Sequence, residues 1–487
     1  MTTTALFHAR PIRKGWILLS TALIALSRRV ETHRFIPWAA LFGLVLVVLG
    51  YGLSIRPIQP TADSISYLSG AYHLHAHGVY SGAPTDDVAP PSIGREPGYP
   101  LVLAMLMRID PAFGGFRPSC LMQANLCDSA IYRIPQWVNA VLIGVSGLAL
   151  FATLHRLTRR RIPSLLGALY LVANLQMHKG FYDIISDPLA VSLVAILLWL
   201  LVRAWQSPDS SLLRWAWVGL GAAALTFTKA IFLYFALVGL ACAALVGLFH
   251  PIARRRLFPA LLVAALTFAA PIGGWVMRNT SIIGVPVFTD LRSGIALSTR
   301  EVFNHMSAEQ YAAAFVYWTR GFGDGLAKRL FAPEVIAPFD LGQPGGFYDE
   351  GQNGYGRRLA TLEQAEGLSE LAAVKQLDRQ LINAILDRPL IHLATTLPVL
   401  YRGIWIDEFI VVGLPVFMIV LIGAVRRRDA LTITLLGLGA FNLLFYALIS
   451  LNITRYQMTA VPCIALACGL AAHRWLNRHG FGQRAGE

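Results

Sequence analysis

Asp63 is a carboxylate standing just beyond an apolar segment that ends near Ser54 and is long enough to cross a bilayer. After the polar run SGAPTDDVAPPSI, the chain returns to the same level at Arg95-Glu96 in GREPGYPL. An acid in that position can serve as general base, taking a proton from an attacking hydroxyl, a role typically worth roughly 10²–10⁴-fold in rate. Its structural alternative is an N-cap, because DSISYLSGAYHLHAHG reads as a helix with Asp near its start. Five cations, Arg95, Lys179, Lys229, Arg278 and Arg455, fall at outer helix ends, where the charge rule for membrane loops expects few. Fixed cations there can neutralise a lipid-linked phosphate and stabilise charge growing on it as it leaves. Arg does this through a planar fork of donors and Lys as a point charge. Each one alone also fits ordinary snorkelling to headgroups. Ionisable groups at membrane depth are nonetheless functional candidates by default, and here all five share one side.

Other polar groups read differently. Asp183 and Asp187 in FYDIISDPL lie on the same side, but Asp187, before a proline and an apolar run, reads first as a helix start. His73 and His77 are spaced to share a helix face and could offer two metal ligands, yet no third ligand is indicated by spacing. No metal is therefore assigned. Asp86-Asp87 read as solvated loop residues, with a divalent cation as the alternative. No P-loop, GxSxG elbow or paired-cysteine metal motif is present.

The elements that must carry these residues are membrane helices. Of 487 residues, 55% are hydrophobic and 14% charged, against roughly 25% charged in soluble domains. The net charge of +14 comes largely from Lys and Arg in short loops, so it argues for positive-inside topology and against nucleic acid. Cys242, Cys463 and Cys468 sit in apolar runs as small core residues. Cys120 and Cys127 lie in a polar stretch expected outside, where a local disulfide is compatible with an oxidising compartment.

Read in order, residues 1–33 form a basic cytoplasmic interfacial segment. Residues 34–278 form a transmembrane core whose first external loop, 55–133, carries Asp63. Residues 279–408 form a periplasmic domain with a juxtamembrane helix, and 409–487 hold the last membrane helices and a basic cytoplasmic tail. Spans are expected at 36–54, 134–155, 162–178, 188–203, 212–228, 230–249, 257–277, 409–425, 430–450 and 456–474. PGYPLVLAMLMRI and the 390–406 stretch are read as helices lying along the outer surface. This assignment puts RLTRRR, ARRR, VRRR and the C-terminal cluster on one side. The fold class is thus all-α and polytopic, with about ten membrane helices and both termini in the cytoplasm.

An ordered set of segments resembles the bacterial glycosyltransferases of the protein-mannosyltransferase and aminoarabinose-transferase type, which share the GT-C membrane fold. The segments are the acid in the first external loop, GREPGYPLVLA, SDPLAVSLVAILLWLL, LTFTKAIFLYFAL, PIGGWVMRNTSIIGVPVF and NITRYQMTAVPCIAL. They cover most of the chain except 300–380. The resemblance implies a polyprenyl-phosphate-linked sugar as donor and an envelope glycan, lipid or protein as acceptor. It implies an inverting single displacement on the periplasmic face of a bacterial inner membrane, with Asp63 as catalytic base. The Arg95 region then contacts the carrier phosphate. Arg278, Arg455, Lys179 and Lys229 join it as phosphate contacts, and Tyr67, Glu96 and Tyr99 line the substrate pocket. Members often carry two adjacent acids where this chain has Asp63-Ser64, which weakens the case for a metal there. If the acceptor is itself a phosphate, Asp63 orients groups and is not needed as a base. The rival readings are a lipid-linked sugar transporter and a non-catalytic polysaccharide assembly factor. A transporter is expected to show repeats and broken helices with polar groups at mid-membrane, which the sequence lacks.

Overall fold

A computed structural model of the chain describes residues 61–122, 127–174, 183–206, 211–249, 251–289 and 292–479, with scattered positions between 31 and 50. Most of the segment 1–33, most of the expected span 36–54, and Lys179 lie outside the described residues. Those described are helical or irregular, with no strand among them.

The stretch read as the first external loop contains α1 (Ala62–Ala76) and α2 (Gly98–Ile109). An apolar series follows: α3 (Arg133–Thr158), α4 (Arg161–Val172), α5 (Asp187–Trp205), α6 (Leu212–Thr228), α7 (Ile231–Phe249) and α8 (Pro251–Ile283). The polar middle forms α9 (Arg292–Val302), α10 (Ala308–Tyr317), α11 (Gly323–Leu330), α12 (Phe347–Glu366), α13 (Glu370–Asp387) and α14 (Pro389–Gly403). The chain closes with α15 (Ile410–Arg426), α16 (Ala430–Ile449), the short 3-10 stretch Thr454–Ala460, and α17 (Val461–Arg478).

Among the described residues, five helical stretches are long and apolar enough to cross a membrane: Arg133–Thr158, Asp187–Trp205, Phe258–Ile283, Ala430–Ile449 and Thr454–Arg478. Each falls on an expected span. The count of about ten is not reached among the described residues: most of 36–54 lies outside them, only Ile231–Cys242 of α7 enters this criterion, and other apolar helices are short. α6 and α15 have 17 residues each, slightly short of the roughly 20 a perpendicular span needs. α4 covers the first part of expected span 162–178 and ends at Val172; residues 175–178 lie outside the described residues. α2 and α14, with 12 and 15 residues, are shorter again.

The main core is built where α3, α5, α16 and α17 face one another, around Leu150, Val191, Leu198, Leu435 and Ile464. α8 and α15 keep Leu262, Leu266, Met277, Val411 and Ile419 outward, as helices bordering hydrocarbon do. The polar middle has cores of its own, one around Phe303, Phe339 and Phe347 and another around Tyr355, Leu377 and Leu381. Arg300 ties the first of these to α14 and α16. Its guanidinium donates to the Ala447 carbonyl (2.9 Å), the His392 carbonyl (2.6 Å), Thr395 (3.1 Å), Thr396 (2.7 Å) and Asn304 (2.8 Å).

Two contacts fix where α1 and α2 sit. A Cβ on Gly98 would lie 2.7 Å from the Phe227 carbonyl oxygen, so only glycine lets the start of α2 press against the end of α6. The disulfide Cys120–Cys127 ties the turn at Pro118–Met122, whose Ser119 bonds to Asp86 of the loop after α1, to the residues leading into α3.

Candidate functional site

The first turn of α1 delivers the central acid. Thr61, rather than Asp63, caps the helix: its Oγ1 accepts the Ser64 N–H at 3.2 Å. Asp63 therefore sits inside the first turn, and its carboxylate is available for other partners. Arg95 donates to one of its oxygens and Arg455 to the other. These two arginines come from opposite ends of the sequence, one just before α2 and one from the 3-10 stretch leading into α17. Burial pushes the Asp63 carboxyl upward, but the two guanidinium groups outweigh it and hold the acid well below the usual carboxylate range.

A second carboxylate completes the network. Asp187 opens α5, is 1% exposed, accepts from Lys229 Nζ at 2.7 Å and lies 3.7 Å from Arg455 Nε. Arg455 thus bridges Asp63 and Asp187. Lys229 occupies the turn between α6 and α7, and the next residue is fixed too, since the Ala230 N–H donates to Glu96 Oε1 at 3.0 Å. The Gly98–Phe227 approach is what brings Glu96 to that turn. Asp183, two residues before the Ile185 N–H that bonds to its carbonyl, has its carboxyl raised by burial, against the pull of Arg455.

The aromatic candidates form the floor. The Tyr67 ring lies 5.0 Å beneath the Arg95 guanidinium and meets Tyr99 edge-on at 5.5 Å. Tyr67 shares a 3.1 Å hydrogen bond with Ser186, next to Asp187, and burial pushes its phenol up to about 12. Tyr99 is 1% exposed and donates to Asn139 at 3.2 Å, so it supports Tyr67 from below.

Arg278 is engaged elsewhere. It donates to the carbonyls of Ser92 (2.7 Å) and Tyr80 (3.2 Å) and stacks on Trp275 at 4.7 Å, pinning both ends of the loop between α1 and α2. Its link to the acid is indirect: Tyr80, which it holds, donates to the Arg95 carbonyl at 3.1 Å.

Three loop readings change. Asp86 is not merely solvated, because it accepts from the Ser119 N–H (3.0 Å) and hydroxyl (2.6 Å). His73 and His77 direct Nε2 at the carbonyls of Ala83 (3.0 Å) and Asp86 (3.2 Å), so both fasten the loop to α1. Among the described residues, no three His, Cys, Asp or Glu side chains converge as a metal site requires. Asp187 is the residue that sequence reading undervalued; its helix-start role is real, but the same residue is also the second carboxylate of the network.

What this arrangement offers chemically is a pair of guanidinium forks held by a buried acid. Arg95 Nε and Arg455 Nε are both buried and have no hydrogen-bond acceptor among the described residues. An incoming oxyanion could take those donors.

No family model and no curated protein matches this chain. Among solved structures, it is similar to the archaeal oligosaccharyltransferase AglB from Archaeoglobus fulgidus, in complex with an inhibitory peptide and a dolichol-phosphate. That match has 12% identity and a TM-score of 0.39, covering 93% of this chain and 53% of the other. The chain therefore spans about half the length of that enzyme. It is also similar to ArnT from Cupriavidus metallidurans bound to undecaprenyl phosphate, with 14% identity and a TM-score of 0.37, over 91% of this chain and 79% of the other. Likeness at this level assigns neither a family nor an activity.

Proposed function

We propose that this chain is a membrane glycosyltransferase of GT-C type, moving a sugar from a polyprenyl-phosphate carrier to an envelope acceptor on the periplasmic face. The observation that carries this reading is the joining of Asp63 to Arg95 and Arg455, with Asp187 and Lys229 alongside. Sequence-distant charges gathered at the ends of apolar helices are costly to bury unless used or fully paired.

Without substrate, Asp63 occupies the two guanidinium forks. The carrier phosphate competes for them and takes the Nε donors of Arg95 and Arg455, which make no hydrogen bond in its absence. As the arginines turn to the phosphate, Asp63 loses the charges that keep its proton affinity low, and becomes a competent base. The acceptor hydroxyl attacks the anomeric carbon and its proton passes to Asp63. The bond between that carbon and the carrier oxygen breaks with its electron pair going to the phosphate, where the arginines meet the developing charge. One displacement inverts the anomeric centre. Glu96 and Asp187 position the 229–230 turn and Arg455, and Tyr67 holds Arg95 from below. Arg278 acts through the loop it pins, and Lys179, outside the described residues, remains a proposed phosphate contact on its sequence position.

The test is transfer of a labelled sugar from undecaprenyl-phosphate sugar by the purified chain in nanodiscs. Transfer that is lost in Asp63→Asn, with fold retained, supports the reading. Absence of any transfer, together with net movement of the intact lipid-linked sugar across a vesicle membrane, would replace it with the transporter reading.

A further inference from the structure

Arg402, near the C-terminal end of α14, takes no part in the network above. Its guanidinium lies 5.1 Å over the Trp318 ring and donates one long bond, 3.4 Å, to the Leu451 carbonyl. No carboxylate among the described residues pairs with it. Arg300 gives the contrast. That guanidinium is fully buried and directs its donors to five protein acceptors within 3.1 Å, so the fold itself satisfies it. A guanidinium has five N–H donors, and Arg402 is half-buried with most of its own unassigned.

The surroundings of Arg402 are aromatic. Tyr317, Trp318, Tyr348 and Tyr456 pack against the same apolar cluster as Phe339 and Phe347. Burial lowers the Arg402 pKa to about 10 against the opposing pull of the Tyr317, Tyr456 and Tyr348 hydroxyls. A cation held there without an anion is unfavourable, and the low-dielectric walls strengthen attraction to any anion that enters. The backbone is fixed as well. A Cβ on Gly403 would lie 2.3 Å from Asn452 Nδ2, the same group that donates to the Val399 carbonyl at 2.9 Å.

Tyr456 connects this place to the acid centre. It follows Arg455 directly, and it packs against the same cluster as Trp318, the ring under the Arg402 guanidinium. The centre holds no surplus cation: Asp63, Glu96 and Asp187, with Asp183 close to Arg455, face Arg95, Lys229 and Arg455. A substrate bearing an oxyanion brings charge that this set does not match, and Arg402 is a nearby cation without a carboxylate.

We infer that Arg402 forms an oxyanion subsite adjoining the Asp63 centre, its fork taking a phosphate or carboxylate group of the substrate between aromatic walls. The subsite belongs to substrate only insofar as the transferase reading holds. The oxyanion comes either from the lipid carrier or from the water-borne acceptor, and binding separates the two.

The experiment measures equilibrium binding to the full chain in nanodiscs of three probes: undecaprenyl phosphate in the lipid, and inorganic phosphate and glucuronate in the water. Arg402→Gln should weaken at least one probe roughly tenfold to hundredfold, the usual worth of a charged hydrogen-bonded contact. Arg402→Lys, which keeps the charge and loses the fork, should weaken it less. Loss confined to undecaprenyl phosphate assigns the subsite to the carrier, and loss confined to the soluble probes assigns it to the acceptor. Wild-type affinity for all three probes in Arg402→Gln overturns the inference, as does wild-type protein that binds none. If Arg402→Gln does not fold, an unchanged Arg402→Lys overturns it equally. Unchanged binding in Arg402→Gln, alongside loss of transfer in Asp63→Asn, would remove the subsite and leave the transferase reading standing.

Discussion

Asp63→Asn separates the two jobs assigned to this carboxylate. The side chain is 21% exposed, against 8% for Arg95 and 33% for Arg455, so the variant takes the counter-charge from the enclosed Arg95 and leaves the partly wetted Arg455 with Asp187 alone. Removing one partner of a buried pair costs about 3–5 kcal/mol. The Asn oxygen still accepts one bond and Arg455 is partly solvated, which places the cost near the lower end, about 3 kcal/mol. The chain should therefore fold with a lowered melting temperature. Loss of the base should slow transfer about 10²–10⁴-fold, equivalent to roughly 2.7–5.5 kcal/mol in the barrier. Carrier binding should move the other way. The carboxylate and the carrier phosphate compete for the same forks, and charges about 4 Å apart at an effective dielectric of 20 interact by about 4 kcal/mol. Recovering even a third of that tightens undecaprenyl phosphate binding roughly tenfold. The assays are single-turnover transfer and equilibrium carrier binding, both in nanodiscs. Near-normal turnover with a hydroxyl acceptor would refute the base role. Weaker carrier binding would refute the competition between acid and phosphate.

Other outcomes follow from the same geometry. Because Arg95 and Arg455 hold the free-state Asp63 carboxyl below its usual range, its stabilising effect is present above the unfolded value near 3.9 and lost as pH falls through the folded value. The kcat/KM profile should accordingly show no acid limb from Asp63 between pH 5 and 8; a limb in that window that vanishes in Asp63→Asn would contradict the pairing. Asp187→Asn strands Lys229 and should cost about 3–5 kcal/mol in thermal unfolding, with Asp187→Asn/Lys229→Met less destabilised than the sum of the two single changes. Strict additivity would mean that the pair is not coupled. Arg278→Ala should speed amide exchange across the 80–92 loop, while Asp63→Asn should not; equal protection in both would remove Arg278 from its pinning role. Replacing Cys120 and Cys127 by Ser should lower stability by about 2.5 kcal/mol on loop-closure entropy alone, read as the shift in melting temperature on reduction.

How far this site was legible in the sequence depends on what each residue's local signal could say. Asp63, Arg95 and Arg455 were found because each breaks a rule visible in one dimension: an acid or a cation at an outer helix end, where lipid and the charge rule disfavour it. Their meeting is an expectation from shared chemistry and not from any local signal: Arg95 and Arg455 do reach Asp63, while Arg278, expected with them, holds loop carbonyls. Asp187 was undervalued for the opposite reason. An Asp before Pro at the start of an apolar run already has a sufficient local explanation, and nothing in the sequence reports that its buried side chain meets Lys229 across the α6–α7 turn. Span ends are less legible than span centres, since hydropathy carries no mark of where helical hydrogen bonding stops, as at Val172 in α4. Arg278 shows the remaining gap: a WxxRN stretch marks an important arginine, but whether its fork holds a substrate phosphate or two loop carbonyls is decided by the fold of the intervening loop. That loop is built from Tyr80, Ser92 and Asp86, none of which carries a helical or charge-pattern signal, so its role emerges only once the chain has closed on itself.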